Sequence, residues 1–433
     1  MNRFIFSHII AAVCYITMQS FTFAAINPAS SPAADNIKQS ISLNTNVANR
    51  IITMKGVESN LLQQVVGQPN HVPILLVYSS STCYNGNEYN NSFNQFNLFS
   101  SLTPQTIEEK SFNQLIPINL DTMQSTIGKF HHISQIIWFN NEFHASGDEC
   151  GDGKVIFLRS KDGKDWSIVS DQYTQEITAT SINAMIGSGA DNPTLVAIGT
   201  NGQVYYQKLN LNEGWHASDL LLNNANTKSQ LISYHHKFLL ITTTFPANMD
   251  DTSIPQIDFY LSADGKNWKS IATPAGVLVG FLGTVFSVDE DKLLVEARKE
   301  KEFIIAELGI DETNNVLTIQ NMASIPKSPK MSDLDLDNAI YSPVTKAYYF
   351  IFADHDNNNY YWTRVNTLQD VATANLQILN IENNSPYELS TNYDGINHYL
   401  FMFKDKPYFL ADVRADLNSR YYEDTAIYNL VNS

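Results

Sequence analysis

The residues of this chain best suited to chemistry gather in short acidic groups. Asp148, Glu149 and Asp152 form one, Asp250 and Asp251 a second, and Asp354 and Asp356 a third. Brought to one rim, such carboxylates attract a cation or a cationic partner; on separate solvated loops they bind nothing in particular. Asp354-His355-Asp356-Asn357-Asn358 also sets oxygen ligands at alternate positions (Asp354, Asp356, Asn358), as the opening of a calcium loop does. The match ends there, because Asn359 stands where such a loop needs Gly and Val365 where it needs Glu. A polar hairpin turn is the simpler reading, with calcium the one ion the pattern would admit and no other cofactor expected. Asp333, Asp335 and Asp337 alternate with Leu334 and Leu336 and read as the solvated face of a strand. His131-His132 and His235-His236 are adjacent pairs. On a strand neighbouring rings point to opposite faces, so neither pair chelates a metal by itself.

Several function classes are excluded. The serine-hydrolase pattern G-x-S-x-G, the phosphate cradle G-x-x-x-x-G-K and the zinc motif H-E-x-x-H are absent. A formal charge of minus 17, with Arg298-Lys299-Glu300-Lys301 as the longest basic cluster, opposes nucleic-acid binding through phosphate neutralisation. Arg3, the apolar stretch from Phe4 to Met18 and the small residues of Thr22-Phe23-Ala24 read as a signal peptide over 1–24, so the mature protein is expected to be secreted or periplasmic. No later segment has the roughly 20 apolar residues of a membrane-spanning helix. Once Cys14 leaves with the signal, Cys83 and Cys150 are the cysteines that remain. An oxidising destination makes them one expected disulfide, and their number rules out a cysteine metal site.

The elements that position these residues are legible in a repeat. Charged residues are only 16% of the chain, against 43% hydrophobic and 11% aromatic, which describes a folded protein with a large core. Ser160-Lys161-Asp162-Gly163-Lys164-Asp165-Trp166 and Ser262-Ala263-Asp264-Gly265-Lys266-Asn267-Trp268 share the pattern S-x-D-G-K-[DN]-W, and Gly214-Trp215 lies between them as a decayed copy. The period is about 50 residues, a length typical of repeated β units. Each copy follows an alternating apolar run and precedes a short one, so it occupies a hairpin turn. Gly accepts positive φ, the Asp and Ser oxygens accept turn amides, and Trp buries a large ring.

These motifs resemble the Asp-box, or BNR, repeat of the sialidase-like superfamily. The resemblance implies an all-β β-propeller with each box between the third and fourth strands of a blade, and a structural role for Ser160, Asp162, Gly163, Trp166, Ser262, Asp264, Gly265 and Trp268. Apolar runs starting near Val72, Glu142, Thr194, Phe238, Lys292, Ala347 and Tyr399 imply seven blades of four antiparallel strands, six being the alternative. The propeller is assigned to 68–433. Residues 25–67 form an N-terminal segment that acts as a linker or lends a ring-closing strand. Ligands of a propeller usually meet the loops between second and third strands, where the three acidic groups and both cysteines fall. The sialidase resemblance also raises a glycosidase alternative, for which Arg50, Glu296 and Arg298 are the candidates. Arg50 lacks the aromatic and Pro neighbours of the family motif, since Asn49 and Ile52 stand there. The reading is therefore a monomeric, non-catalytic binding module for a glycan or protein surface, with the glycosidase or a scaffold protein as rivals.

Overall fold

The computed structural model describes residues 49–54, 62–66, 74–78, 97–102, 116–119, 130–149, 154–161, 167–169, 173–189, 191–211, 213–222, 227–244, 256–273, 281–289, 291–299, 302–326, 334–354, 359–374, 376–379, 399–403, 406–413 and 424–430. Within them the chain forms seven four-stranded antiparallel sheets. Six are uninterrupted meanders, at 62–119, 130–168, 182–221, 227–271, 281–326 and 334–378. The seventh takes three strands from 399–429 and its fourth from Asn49–Met54, which pairs antiparallel with Asp424–Asn429. Residues 25–67 thus contribute two strands, because the first sheet opens at Leu62–Val66.

The first strands of consecutive sheets lie against one another from the first sheet to the fourth and from the fifth to the seventh, and the seventh reaches back to the first. The fourth and fifth are joined by Gln230, whose Nε2 donates to the Val285 carbonyl at 2.7 Å. Similar polar links recur around this circuit. Gln135 Nε2 donates to the Asn183 carbonyl at 3.0 Å, Ser188 and Ser233 share a hydroxyl bond of 3.0 Å, and Glu296 Oε2 accepts the Leu336 N–H at 3.0 Å.

The sheets stack face to face, so five buried clusters each lie between two consecutive sheets, from the second-to-third interface to the sixth-to-seventh. Covering both faces explains the uniform burial of the second strands, as at Thr194–Gly199, whereas the outermost strand His216–Leu221 alternates between half-buried and exposed. Close stacking requires small residues at points of approach. A Cβ on Gly187 of the third sheet would fall 2.1 Å from the Phe139 ring of the second. Asn140-Asn141 and His235-His236 form two-residue turns with positive φ throughout, from 48° to 62°, the geometry that matches the twist of the strands they join. His235 and His236 are therefore turn residues, not strand neighbours with opposed rings.

The seven apolar starts do not all mark the same strand. Those at Glu142, Thr194, Lys292 and Ala347 open second strands, and the starts near Val72 and Phe238 fall beside second strands at Ile74–Tyr78 and Lys237–Thr244. Tyr399–Phe403, by contrast, is a first strand, with its second at Lys406–Val413.

Candidate functional site

The second box shows how its residues make a rigid turn. Ser262 ends the third strand of the fourth sheet, and Trp268 immediately precedes the fourth strand, Lys269–Ile271. The Ser262 hydroxyl accepts the Gly265 N–H at 2.9 Å and donates to Asp264 Oδ1 at 3.2 Å. Asp264 Oδ1 accepts the N–H groups of Lys266 and Asn267 at 3.0 and 2.9 Å, while Oδ2 accepts Asn267 Nδ2 at 2.8 Å. Burial alone would raise the Asp264 carboxyl, but these bonds hold it below the usual carboxylate range. The half-buried Trp268 ring packs on the core between the third and fourth sheets, and its Nε1 donates to the Gly265 carbonyl at 3.0 Å. The turn is tied to the third sheet by Trp268 N–H to Asp219 Oδ1 at 3.2 Å and Asp219 N–H to the Lys266 carbonyl at 3.1 Å. The Ser262 hydroxyl, the Asp264 carboxylate and the Trp268 indole N–H are thus engaged within the turn itself.

The other copies are described in part. Ser160 is buried at the end of the third strand of the second sheet, and Asp162, Gly163 and Trp166 lie outside the described residues. Trp215 immediately precedes the fourth strand of the third sheet, as Trp268 does in the next, and stacks at 4.6 Å on Phe157 of the second sheet. A further turn of the same geometry escaped the motif search. In the fifth sheet Asp311 Oδ1 accepts the N–H groups of Thr313 and Asn314 at 3.0 and 3.2 Å, and Oδ2 accepts Asn314 Nδ2 at 2.7 Å. The Asn314 side chain, then its main chain, hold this carboxyl below its ordinary value. Its signal was the bare Asp-x-x-Asn spacing shared with Asp264 and Asn267, without Gly or Trp.

Of the acidic groups, the described backbone places three members, Asp148, Glu149 and Asp354, on strands instead of loops. Asp148 lies on Glu142–Glu149 opposite Val155, and Asp354 ends Ala347–Asp354 opposite Asn359. Asp152, Asp250, Asp251, Asp356, Asn358, Cys83, Cys150 and the signal segment 1–24 lie outside the described residues. Among the described residues no three metal-ligating side chains are grouped, and no helix is long and apolar enough to cross a membrane.

The described part of the face bearing second-to-third-strand loops is best seen on the third sheet. There Asn201 Nδ2 donates at 3.0 Å to both Thr178 Oγ1 and Tyr205 Oη, those two hydroxyls share a bond of 3.0 Å, and Thr180 and Thr200 share another of 3.0 Å. These five residues present hydroxyl and amide groups, which can serve polar ligands.

The glycosidase candidates lie on two sheets, Glu296 and Arg298 on the fifth and Arg50 on the seventh. Glu296 is 4% exposed within Lys292–Lys299, and its carboxylate accepts the Leu336 main-chain N–H of the next sheet. Arg298 lies two residues along the same strand opposite Phe303, and Arg50 lies on Asn49–Met54 opposite Tyr428. A second buried carboxylate, Glu307, which no sequence motif marks, accepts from Lys292 Nζ at 3.1 Å and from Asn321 Nδ2 at 2.7 Å. The same ammonium stands 5.0 Å above the Tyr341 ring and 5.7 Å above Tyr348, joining the fifth and sixth sheets.

No family model and no curated protein matches the chain. Among solved structures it is similar to a puromycin hydrolase at 10% identity and TM-score 0.41, over 64% of this chain but only 43% of that one. An alpha-L-arabinofuranosidase from Fusarium graminearum is similar at 12% identity and TM-score 0.38, over 70% and 94%. A subtype N11 neuraminidase-like protein of A/flat-faced bat/Peru follows at 10% identity and TM-score 0.35, over 67% and 85%.

Proposed function

We propose that the chain is an exported seven-bladed β-propeller of the Asp-box kind, closed by its N-terminal strand, that binds a glycan without cleaving it. The circuit of first strands and the pairing of Asn49–Met54 with the last sheet support the architecture. The observation that carries the non-catalytic reading is Glu296. A general acid or base must reach substrate, and this carboxylate is enclosed and holds a main-chain N–H across two sheets. The hydroxyl and amide groups on the third sheet support a glycan as the ligand.

The deciding experiment pairs a glycan array with a fluorogenic sialoside, both using the purified exported chain. Saturable array binding with no turnover is expected. Turnover abolished by Arg50→Ala or Arg298→Ala would replace this reading with the glycosidase, and a blank array with capture of a cell-surface protein would replace glycan with protein.

A further inference from the structure

On the loop face of the third sheet the direction of each proton in the Tyr205 network follows from counting donors and lone pairs. Tyr205 is wholly buried, and its hydroxyl meets two exposed residues, Thr178 and Asn201. Tyr205 Oη accepts the Thr178 N–H at 3.1 Å and one Asn201 Nδ2 proton at 3.0 Å. A phenol oxygen that accepts two protons has no lone pair for a third, so the Tyr205 proton goes to its remaining neighbour, Thr178 Oγ1, at 3.0 Å. Thr178 Oγ1 also accepts the second Asn201 Nδ2 proton at 3.0 Å. The Asn201 amide cannot be turned round, because its Oδ1 accepts the Gln203 N–H at 3.1 Å. Both lone pairs of the Thr178 hydroxyl are therefore occupied, and its own proton has no acceptor among the described residues. With two lone pairs engaged, one direction is left for that proton, and Thr178 presents a fixed donor to solvent.

Thr180 supplies the complementary group. Thr178 and Thr180 are exposed on either side of buried Ala179, so both face outward from one connection. Thr180 Oγ1 shares a 3.0 Å bond with Thr200 Oγ1. If Thr180 donates in that bond, both its lone pairs can accept from a ligand; if it accepts, one still can. Thr180 is an acceptor either way. Because the donor is aimed before any ligand arrives, little freedom is lost on binding. A carboxylate accepts from Thr178 but meets a lone pair at Thr180, and none of the residues in this network carries a cation to hold it. An ammonium meets the Thr178 proton head on. Neighbouring hydroxyls of a sugar ring suit both residues, one accepting from Thr178 and the next donating to Thr180.

We propose that Thr178 and Thr180 form a recognition pair for neutral glycans, reading two neighbouring ring hydroxyls, with Tyr205 as the positioning residue that aims the Thr178 proton. The inference rests on the glycan-binding reading and deepens it, since it selects neutral over carboxylate-bearing sugars. It is tested on a glycan array carrying neutral and sialylated glycans, probed over a range of concentrations with the purified exported chain and its variants. Neutral glycans should bind saturably, and sialylated ones no better than their neutral cores. Thr178→Val and Thr180→Val should each weaken neutral binding about tenfold, whereas Thr178→Ser, which keeps the hydroxyl, should stay within about twofold. Tyr205→Phe should weaken binding in the parent chain and have no further effect once Thr178→Val is present, a coupling that a general loosening of the fold would not produce. Thr180 takes no part in the Tyr205 network, so its variant keeps the test valid if Thr178→Val fails to fold. Neutral binding unchanged in the valine variants overturns this site and leaves the glycan reading standing. Sialylated glycans bound in preference to neutral ones overturn the ligand class. A blank array sinks the glycan reading itself, and this inference with it.

Discussion

Replacing Gly265 with Ala tests whether the box turn is locked onto the preceding sheet. Gly265 has φ of +72°, and a Cβ built there falls 2.6 Å from Val196 Cγ2 and 3.1 Å from Tyr206 Cβ, both on the third sheet. The left-handed backbone costs an alanine about 1–2 kcal/mol. Val196 is wholly buried and cannot swing away, so overpacking adds about 1–3 kcal/mol. Reduced freedom of the unfolded chain returns about 0.4–1 kcal/mol, which leaves a net loss of about 2–4 kcal/mol. The assay is the urea midpoint at constant slope. Two companions separate the causes. Gly265→Asn tolerates the backbone but keeps the added Cβ, and Val196→Ala in the Gly265→Ala chain removes the atom it strikes. A coupling of about 1 kcal/mol between the two alanine changes is expected. Strict additivity, or a single-variant loss below about 0.5 kcal/mol, would refute docking of this turn on the third sheet.

Glu307→Ala should strand Lys292 between Tyr341 and Tyr348 and cost about 2–3 kcal/mol, the lysine's partial exposure moderating the full penalty; Lys292→Met with Glu307→Leu should recover most of it, read by urea midpoints. Burial lowers the pKa of His144, which is 7% exposed with Nε2 unpaired, so its neutral form belongs to the folded state. The stability this confers is present above the unfolded value of about 6.5 and falls as pH drops through the depressed folded value; His144→Phe should flatten the urea midpoint between about pH 7 and about pH 5. Cys83 and Cys150 are expected to yield no free thiol when the unreduced exported protein is titrated in denaturant, and reduction should cost about 4 kcal/mol in the chain-entropy model. Two free thiols would refute the crosslink.

What the sequence disclosed follows from where each strand lies in its sheet. Second strands such as Thr194–Gly199 are covered on both faces and must be apolar throughout, so they announced a period. First strands are interrupted by bulges, as at Ile182/Ala184 and Leu336/Asn338, and by polar links such as Gln135 and Gln230, which blurs their alternation. The seventh sheet shifted this signal because its first strand, Tyr399–Phe403, is apolar and aromatic throughout, whereas its second, Lys406–Val413, includes Lys406 and Asp412. Trp268 was read as a buried ring, yet it is only half-buried where it packs on the core between the third and fourth sheets. The Asp311 turn was invisible because hydrogen bonding requires only Asp and Asn at that spacing, and the residues that made the other copies recognisable, Gly and Trp, answer to docking and packing instead.

Glu296 shows why residue type alone misplaces a site in this fold. Sequence singled it out as a carboxylate beside an arginine, and a catalytic carboxylate and a structural one are the same letter. The distinction lies in what faces it. Across the stacked sheets, a bulge at Leu336/Asn338 turns a main-chain N–H out of its ladder, and an unpaired buried N–H is unfavourable. Glu296 meets it from the neighbouring sheet, as Gln135 meets a carbonyl at the bulge of the second strand pair in the circuit. Stacking bulged strands therefore creates a demand for long polar side chains in the interior, and the chain meets it with Gln and Glu. Side chains so engaged cannot also turn toward substrate. In the proposed reading, recognition falls to groups that packing does not occupy, such as the hydroxyl and amide groups on the third sheet.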